Sequence, residues 1–121
     1  MKSTIKFIWC RLFYLYGEGE HPNRLVPYLL NQIKLNKQVN LTKGLQIRDY
    51  LDVKVAASNI VDKIFLIEEK NITEYNICSG IPISIKDFVI SIAEKYNALN
   101  LLNFGSREEN VIDPAVIVGI K

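Results

Sequence analysis

Leu45-Gln46-Ile47-Arg48-Asp49-Tyr50-Leu51-Asp52-Val53 is the stretch on which the fold turns. It follows a Lys43-Gly44 break and keeps an extended pattern. It then hands over to a helical period, with Ala57, Ile60, Val61, Ile64 and Phe65 on one side of a helix expected over roughly 55 to 69. A strand passing straight into a helix is the unit of an α/β chain, and the same alternation recurs on both sides.

Upstream, Thr4 to Phe13 is rich in β-branched and aromatic residues and predicts a strand buried on both faces. Tyr16-Gly17-Glu18-Gly19-Glu20-His21-Pro22-Asn23 is a loop by composition. A helix is expected from Asn23 or Arg24, with Val26, Leu29, Leu30 and Ile33 inward and Pro27 in the first turn, where it removes no hydrogen bond. Val39-Asn40-Leu41 alternates as a short strand. Downstream, Glu74 to Cys78 is a further strand, closed by Ser79-Gly80 and Pro82. Ser84-Ile85-Lys86-Asp87 has the form of a capping box for a helix to about Asn97, with Ile85, Phe88, Val89, Ile92 and Ala93 inward. Leu99 to Phe104 predicts a last strand. Arg107 to Pro114 is charged, and Val116-Ile117-Val118-Gly119 turns apolar just before the end, which predicts a chain cut short. The class is α/β or α+β without an internal repeat.

With 121 residues, 49% hydrophobic and 23% charged, the chain can bury a core, and its net charge of +2 gives no electrostatic footprint for nucleic acid. No apolar run approaches the ~20 residues that span a bilayer, so no membrane partner is expected. Cys10 and Cys78 are read as reduced, largely buried thiols of a cytoplasmic protein, and His21 has no second ligand at metal spacing.

No catalytic arrangement is expected. There is no Gly-x-Gly-x-x-Gly after a strand, no phosphate loop ending in Gly-Lys-Ser/Thr, and a catalytic Tyr-x-x-x-Lys pair is taken to be absent. Gly17-Glu18-Gly19 carries two acids, Glu18 and Glu20, that would repel a pyrophosphate. Asp49 and Asp52 fall on opposite faces of an extended segment, against a paired-carboxylate mechanism. Arg48 is the candidate that stands out. A guanidinium among Ile47, Leu51 and Val53 needs a partner, either an acid (Asp49, Asp52 or a glutamate elsewhere) or an anionic ligand whose phosphate suits the planar fork. From pattern alone the ion pair comes first. Arg107, after the Phe104-Gly105-Ser106 turn, poses the same choice against Glu108 and Glu109.

Several segments in fixed order change those odds. They are Arg11-Leu12-Phe13-Tyr14-Leu15-Tyr16-Gly17, Asn23-Arg24-Leu25-Val26-Pro27, Gly44-Leu45-Gln46-Ile47-Arg48-Asp49-Tyr50, and Tyr75-Asn76-Ile77-Cys78-Ser79-Gly80 with Ser84. Across about residues 4 to 119 the set resembles the C-terminal, substrate-binding half of the extended short-chain dehydrogenases/reductases. These are the NAD-dependent nucleotide-sugar epimerases, dehydratases and 4-ketoreductases. The resemblance implies one partial domain: a late Rossmann-type strand over 4–15, then a small mixed α/β nucleotide-sugar-binding region over 16–119. It assigns Arg48 to the ligand's diphosphate and Arg107 to the diphosphate or ribose. It assigns Arg24, Leu25 and Val26 to the nucleotide pocket, and Tyr16 with Gly17 to the wall beside nicotinamide and sugar. It implies NAD or NADP for the complete enzyme, not bound by this chain, because the glycine-rich coenzyme loop and catalytic Tyr-x-x-x-Lys are expected upstream of Met1. The implied partners are a nucleoside-diphosphate sugar and the missing coenzyme-binding half, or a separate chain that supplies it.

Two departures stand out. Glu18 replaces the usual proline after Tyr-Gly. Val53-Lys54-Val55-Ala56 lacks the acid that normally caps the next helix, a role left to Asp52. The purified chain is expected to be aggregation-prone, since the apolar runs at 5–15 and 115–120 lose their cover.

Overall fold

The computed structural model describes residues 5–65 and 72–121. Strands and helices alternate as the sequence predicts: β1 (Phe7–Leu12), β2 (Tyr14–Tyr16), α1 (Leu25–Lys34), β3 (Val39–Leu41), β4 (Ile47–Arg48), β5 (Tyr50–Asp52), α2 (Val53–Phe65), β6 (Ile72–Ile77), β7 (Ile83–Ser84), α3 (Ile85–Lys95) and β8 (Leu102–Phe104). They form two compact units. One comprises Met1–Gly17, Asp49–Ile81 and Val118–Lys121; the other comprises Glu18–Arg48 and Pro82–Ile117.

The second unit holds a packed core. Leu29 of α1, Val39 and Leu41 of β3 and Val89 of α3 form a buried cluster, with Leu25, Ile33, Ile85 and Ile92 packed against it. All but Leu25 are positions that helical and alternating periods mark as inward. Burying such a side chain is worth ~1.5–3 kcal/mol. Leu30 departs from the expected face and is partly exposed. β3 pairs in parallel with β8, Val39 opposite Leu102 and Leu41 opposite Phe104. β4 pairs antiparallel with β7, Ile47 is also bridged in parallel to Val116, and Ile117 N–H donates to the Ile47 carbonyl at 3.0 Å. Ser84 caps α3 as predicted: its hydroxyl accepts from Asp87 N–H at 3.0 Å, with Asp87 in the first turn where the helix dipole favours an acid.

The expected strand over Leu99–Phe104 is only half extended. Leu99–Leu101 is a 3₁₀ turn, closed by Leu101 N–H to Ala98 C=O at 3.1 Å, and the strand begins at Leu102. The chain leaves α3 through Asn97 at φ 53°, and this left-handed exit is taken up by a tight turn before it can extend.

In the first unit β1 and β6 run parallel in register from Phe7 opposite Ile72 to Leu12 opposite Ile77. β2 runs parallel to β5, Tyr14 opposite Tyr50 and Tyr16 opposite Asp52. The single strand expected over 4–15 is therefore two. Phe13 N–H is the last to point at Ile77 C=O and Tyr14 N–H the first to point at Asp49 C=O, so the partner changes at that peptide.

Two further expectations fail here. β1 is not buried on both faces: Phe7, Trp9 and Leu12 are exposed, because the one strand paired with it leaves its faces without a covering layer among the described residues. Helix α2 starts at Val53, two residues early, and turns a different side inward. Ala56 is buried, whereas Ala57, Val61, Ile64 and Phe65 of the expected stripe are exposed. Val53 and Ile60 are half-buried beside Ala56. Residues 66–69 of the expected helix lie outside the described residues.

Candidate functional site

Strand geometry sends the side chains of Arg48 and Asp49 to opposite sides of the backbone. Both are buried, at 2% and 0% exposure. Asp49 is the hub of a polar knot. Its Oδ1 accepts from Ser79 N–H at 2.8 Å and Ser79 Oγ at 2.7 Å; its Oδ2 accepts from Gly80 N–H at 2.9 Å and Gly119 N–H at 3.1 Å. Burial alone would raise this carboxyl's pKa, but the donors from Ser79, Gly119 and Gly80 outweigh it and hold the group below its ordinary value. Gly119 must be glycine for this approach, since a Cβ there would stand 2.5 Å from Cys78 Sγ. Arg48 is held on β4, with Nη1 donating to the Ile47 carbonyl at 2.8 Å. Asp52, the other local acid, accepts from Lys54 N–H at 2.7 Å and takes over the cap of α2 that the expected acid would have supplied.

A second grouping surrounds β3. The Arg107 guanidinium sits 4.6 Å from the centroid of the Tyr28 ring, and Arg107 N–H donates to the Leu41 carbonyl at 3.1 Å. Among the described residues Arg107 makes no ion pair with Glu108 or Glu109, and Glu109 accepts from Lys43 N–H at 2.7 Å. The Tyr28 hydroxyl accepts from Asn40 N–H at 3.1 Å. Asn40 lies opposite Asn103 in the β3–β8 register. The Ser106 hydroxyl accepts from Leu41 N–H at 3.2 Å and lies 2.8 Å from the Asn103 carbonyl and 3.3 Å from Asn40 Oδ1. Asn103 Nδ2 is 3.5 Å from that same Oδ1. None of Tyr28, Asn40, Asn103 and Ser106 stands out in the sequence. Their grouping depends on the β3–β8 pairing, which joins residues more than sixty apart.

The remaining predicted site residues fall as follows. Arg24 is the N-terminal flanking residue of α1, exposed, with Nε 3.8 Å from Glu20 Oε1. Leu25 packs against the core cluster and Val26 is buried, so both turn apolar surface inward. Tyr16 is half-buried opposite Asp52, and burial followed by the Asp52 charge pushes its phenol pKa up. Gly17 sits at φ +143°, where an added Cβ would be 2.6 Å from Val53 Cγ1. The spacing Tyr-x-x-x-Lys, taken to be absent, does occur once, at Tyr50 and Lys54. It begins on β5 and ends at the second residue of α2, so the two do not lie one turn apart on a helix. Tyr50 instead packs edge-on to Tyr14, ring centroids 5.9 Å apart.

A cleft of about 490 Å³ in the first unit is lined by Arg11, Lys63, Glu74, Asn76, Cys78 and Lys121 among others, and by none of the predicted site residues. Its charges are largely engaged, Arg11 with Glu74 at 2.6 Å and Lys63 over the Tyr75 ring at 4.6 Å. Cys10 and Cys78 are free thiols, and burial together with the Asp49 charge raises the pKa of Cys78. Among the described residues no group of His, Cys, Asp or Glu could hold a metal ion, and no helix is long and apolar enough to cross a membrane. The loop at Gly17–Glu20 does not fit a dinucleotide's pyrophosphate: its acids remain beside it, with Glu20 turned to Arg24.

A family profile described as the NAD dependent epimerase/dehydratase family matches residues 1–78. The chain belongs to that family. Among curated proteins it is similar to CDP-abequose synthase of Salmonella typhimurium, 29% identical over 113 residues that cover 87% of this chain and 36% of the relative. Among solved structures it is similar to UDP-N-acetylglucosamine 4-epimerase from Methanobrevibacter ruminantium M1, solved in complex with UDP-N-acetylmuramic acid. That match has a TM-score of 0.79 at 18% identity and covers 95% of this chain and 37% of the other. It is also similar to MoeE5, solved in complex with UDP-glucuronic acid and NAD, with a TM-score of 0.75 at 20% identity, covering 93% and 37%. The NAD dependent epimerase/dehydratase chain thus spans a little over a third of the length of these relatives.

Proposed function

We propose that this chain supplies the nucleoside-diphosphate-sugar grip of an NAD(P)-dependent epimerase, dehydratase or sugar 4-ketoreductase, in deoxysugar or surface-polysaccharide synthesis. Arg48 takes the diphosphate through its fork, and Arg107 takes the diphosphate or ribose. The nicotinamide coenzyme would supply hydride transfer when bound, with Tyr16 and Gly17 forming the wall beside it. The chain's own residues bind and orient the ligand.

The observation that carries this reading is a guanidinium buried to 2% at Arg48 and oriented on β4 by its Nη1 bond to the Ile47 carbonyl. Titration calorimetry of the whole chain with CDP-glucose and UDP-glucose tests it. Wild type binds one of them, and Arg48→Lys, which keeps the charge and loses the fork, weakens it about tenfold or more. Unchanged binding in Arg48→Lys, or no binding by wild type, removes the reading and leaves Arg48 structural.

A second reading is a subunit completed by a separate coenzyme-binding chain. The exposed Phe7, Trp9 and Leu12 favour it, as apolar surface suited to a partner. A separate intact gene carrying the glycine-rich loop and Tyr-x-x-x-Lys supports this version; the same motifs out of frame just before Met1 support a split reading frame.

A further inference from the structure

The cleft of the first unit runs along the open edge of a strand. Side chains of a strand alternate between its two faces, so a groove over one face touches every second residue. This cleft is lined by Glu74, Tyr75, Asn76, Ile77 and Cys78 in unbroken succession, which places it on the edge of β6. On its other edge β6 pairs with β1, and it pairs with no further strand among the described residues.

Backbone direction says what that edge offers. The N–H and C=O of one strand residue point to the same side, and those of its neighbours to the other. The Ile77 carbonyl faces β1, accepting from Phe13 N–H at 3.4 Å. Glu74 and Asn76 stand at odd spacing from Ile77 and therefore turn their N–H and C=O groups outward, into the cleft. Among the described residues no backbone group meets them there. An unpaired edge of this kind is a template for one more strand.

The two sides of the edge differ in chemistry. On the side of Glu74 and Asn76, Arg11 is already answered, 2.6 Å from Glu74 Oε2 and 3.4 Å from Asn76 Oδ1. Asn76 Nδ2 donates to the Ile120 carbonyl at 2.9 Å, which brings the exposed Ile120 to that side as apolar lining. On the opposite side Lys63 of α2 lies over the Tyr75 ring, 4.6 Å from Nζ to the centroid. The ring contact leaves its N–H donors for a carboxylate, and it forms no ion pair among the described residues. Asp62, the neighbouring acid in the lining, is exposed to water, whereas Lys63 is half-buried. The geometry points to β6 as the docking edge for an extended peptide of about five residues. The peptide adds as a further strand, with acidic side chains toward Lys63 and apolar ones toward Ile120. The cleft holds none of the residues assigned to the nucleotide, so a peptide here and a nucleotide there are independent events.

Fluorescence anisotropy of the full chain with labelled acetyl-Val-Glu-Val-Glu-Val-amide tests this, against the same peptide with Lys for Glu. The acidic peptide is expected to bind about tenfold tighter or more. Lys63→Gln, which removes the charge, is expected to flatten that preference, and Lys63→Glu to reverse it. A preference unchanged in both variants overturns the assignment, as does binding of neither peptide. Methylating alternate peptide nitrogens separates an added strand from a charged patch. One alternate set faces β6, and its methylation is expected to abolish binding, while methylation of the other set is tolerated. Equal tolerance or equal loss in the two sets overturns the edge geometry. Dimers of the chain that excess peptide does not dissociate place a second copy on this edge and overturn it too.

Discussion

The two units solve the same problem with unequal success. In the unit built on α1, α3, β3 and β8, every strand position that alternation marks as inward finds a helix, and Leu29, Val39 and Val89 reach 0% exposure. In the unit built on β1, β2, β5, β6 and α2, the strands are at least as apolar, yet Phe7 is 49% exposed and Trp9 55%. What separates them is cover. A parallel pair needs a layer on each face, and β1–β6 shows apolar side chains that no described element covers. The first unit buries Ala56, Ile77 and Cys78 and adds polar chemistry, the Asp49 carboxylate tying the start of β5 to the Ser79-Gly80 turn and to Gly119.

The sharpest way to break this contrast is to empty the well-packed side. Leu29→Ala removes a fully buried side chain from a cluster closed by two helices, and its cost is expected to be about 3 kcal/mol. Urea unfolding followed by circular dichroism reads it as a fall in midpoint at constant slope. A cost below about 1 kcal/mol would mean that the cluster is loosely packed and that the two units differ less than their exposures suggest.

On the polar side the expected effect is somewhat smaller and depends on pH. The folded-state pKa of Asp49 is depressed, so its contribution is complete above the ordinary carboxylate range and is lost as pH falls through the folded value. Asp49→Asn sets an amide against N–H donors and is expected to cost about 2–3 kcal/mol at pH 7. At acid pH the gap between variant and wild type narrows, because the wild type then carries a protonated carboxyl at the same place. Midpoints measured at pH 7 and at acid pH check this. A gap that stays constant would show that the carboxylate's charge adds nothing to the knot.

How far the sequence carried each unit follows from the same contrast. The alternation of elements, the Ser84 cap and the inward face of α3 were legible because local pattern and packing agree there. The inward face of α2 was misread because its apolar stripe was taken to mark the interior, and the structure turns Ala56 inward instead. The break at Phe13 was invisible because it comes from a change of hydrogen-bond partner, not from a turn residue. At the candidate site Arg48 and Arg107 stood out as cations in apolar or turn settings. The role of Asp49 and the Asn40–Asn103–Ser106 cluster did not, since each depends on contacts between residues 30 to 70 positions apart.

The smallest expected effect probes the uncovered face directly. Trp9 meets the Phe7 ring at 6.1 Å in a tilted arrangement and is 55% exposed. Trp9→Ser therefore gives up that pair and little buried area, and is expected to cost no more than about 1 kcal/mol. Its visible consequence lies elsewhere. An exposed apolar strand promotes association, so light scattering on warming and binding of an apolar dye should both fall in the variant. Phe7→Ser should act the same way, because both side chains lie on one face of β1 two residues apart. If Trp9→Ser instead lowers the urea midpoint as far as Leu29→Ala does, the face is covered in solution and the contrast between the units disappears. If stability holds and association falls, the apolar strand contributes little to this chain's own fold, and its hydrophobic residues serve contact with something outside it.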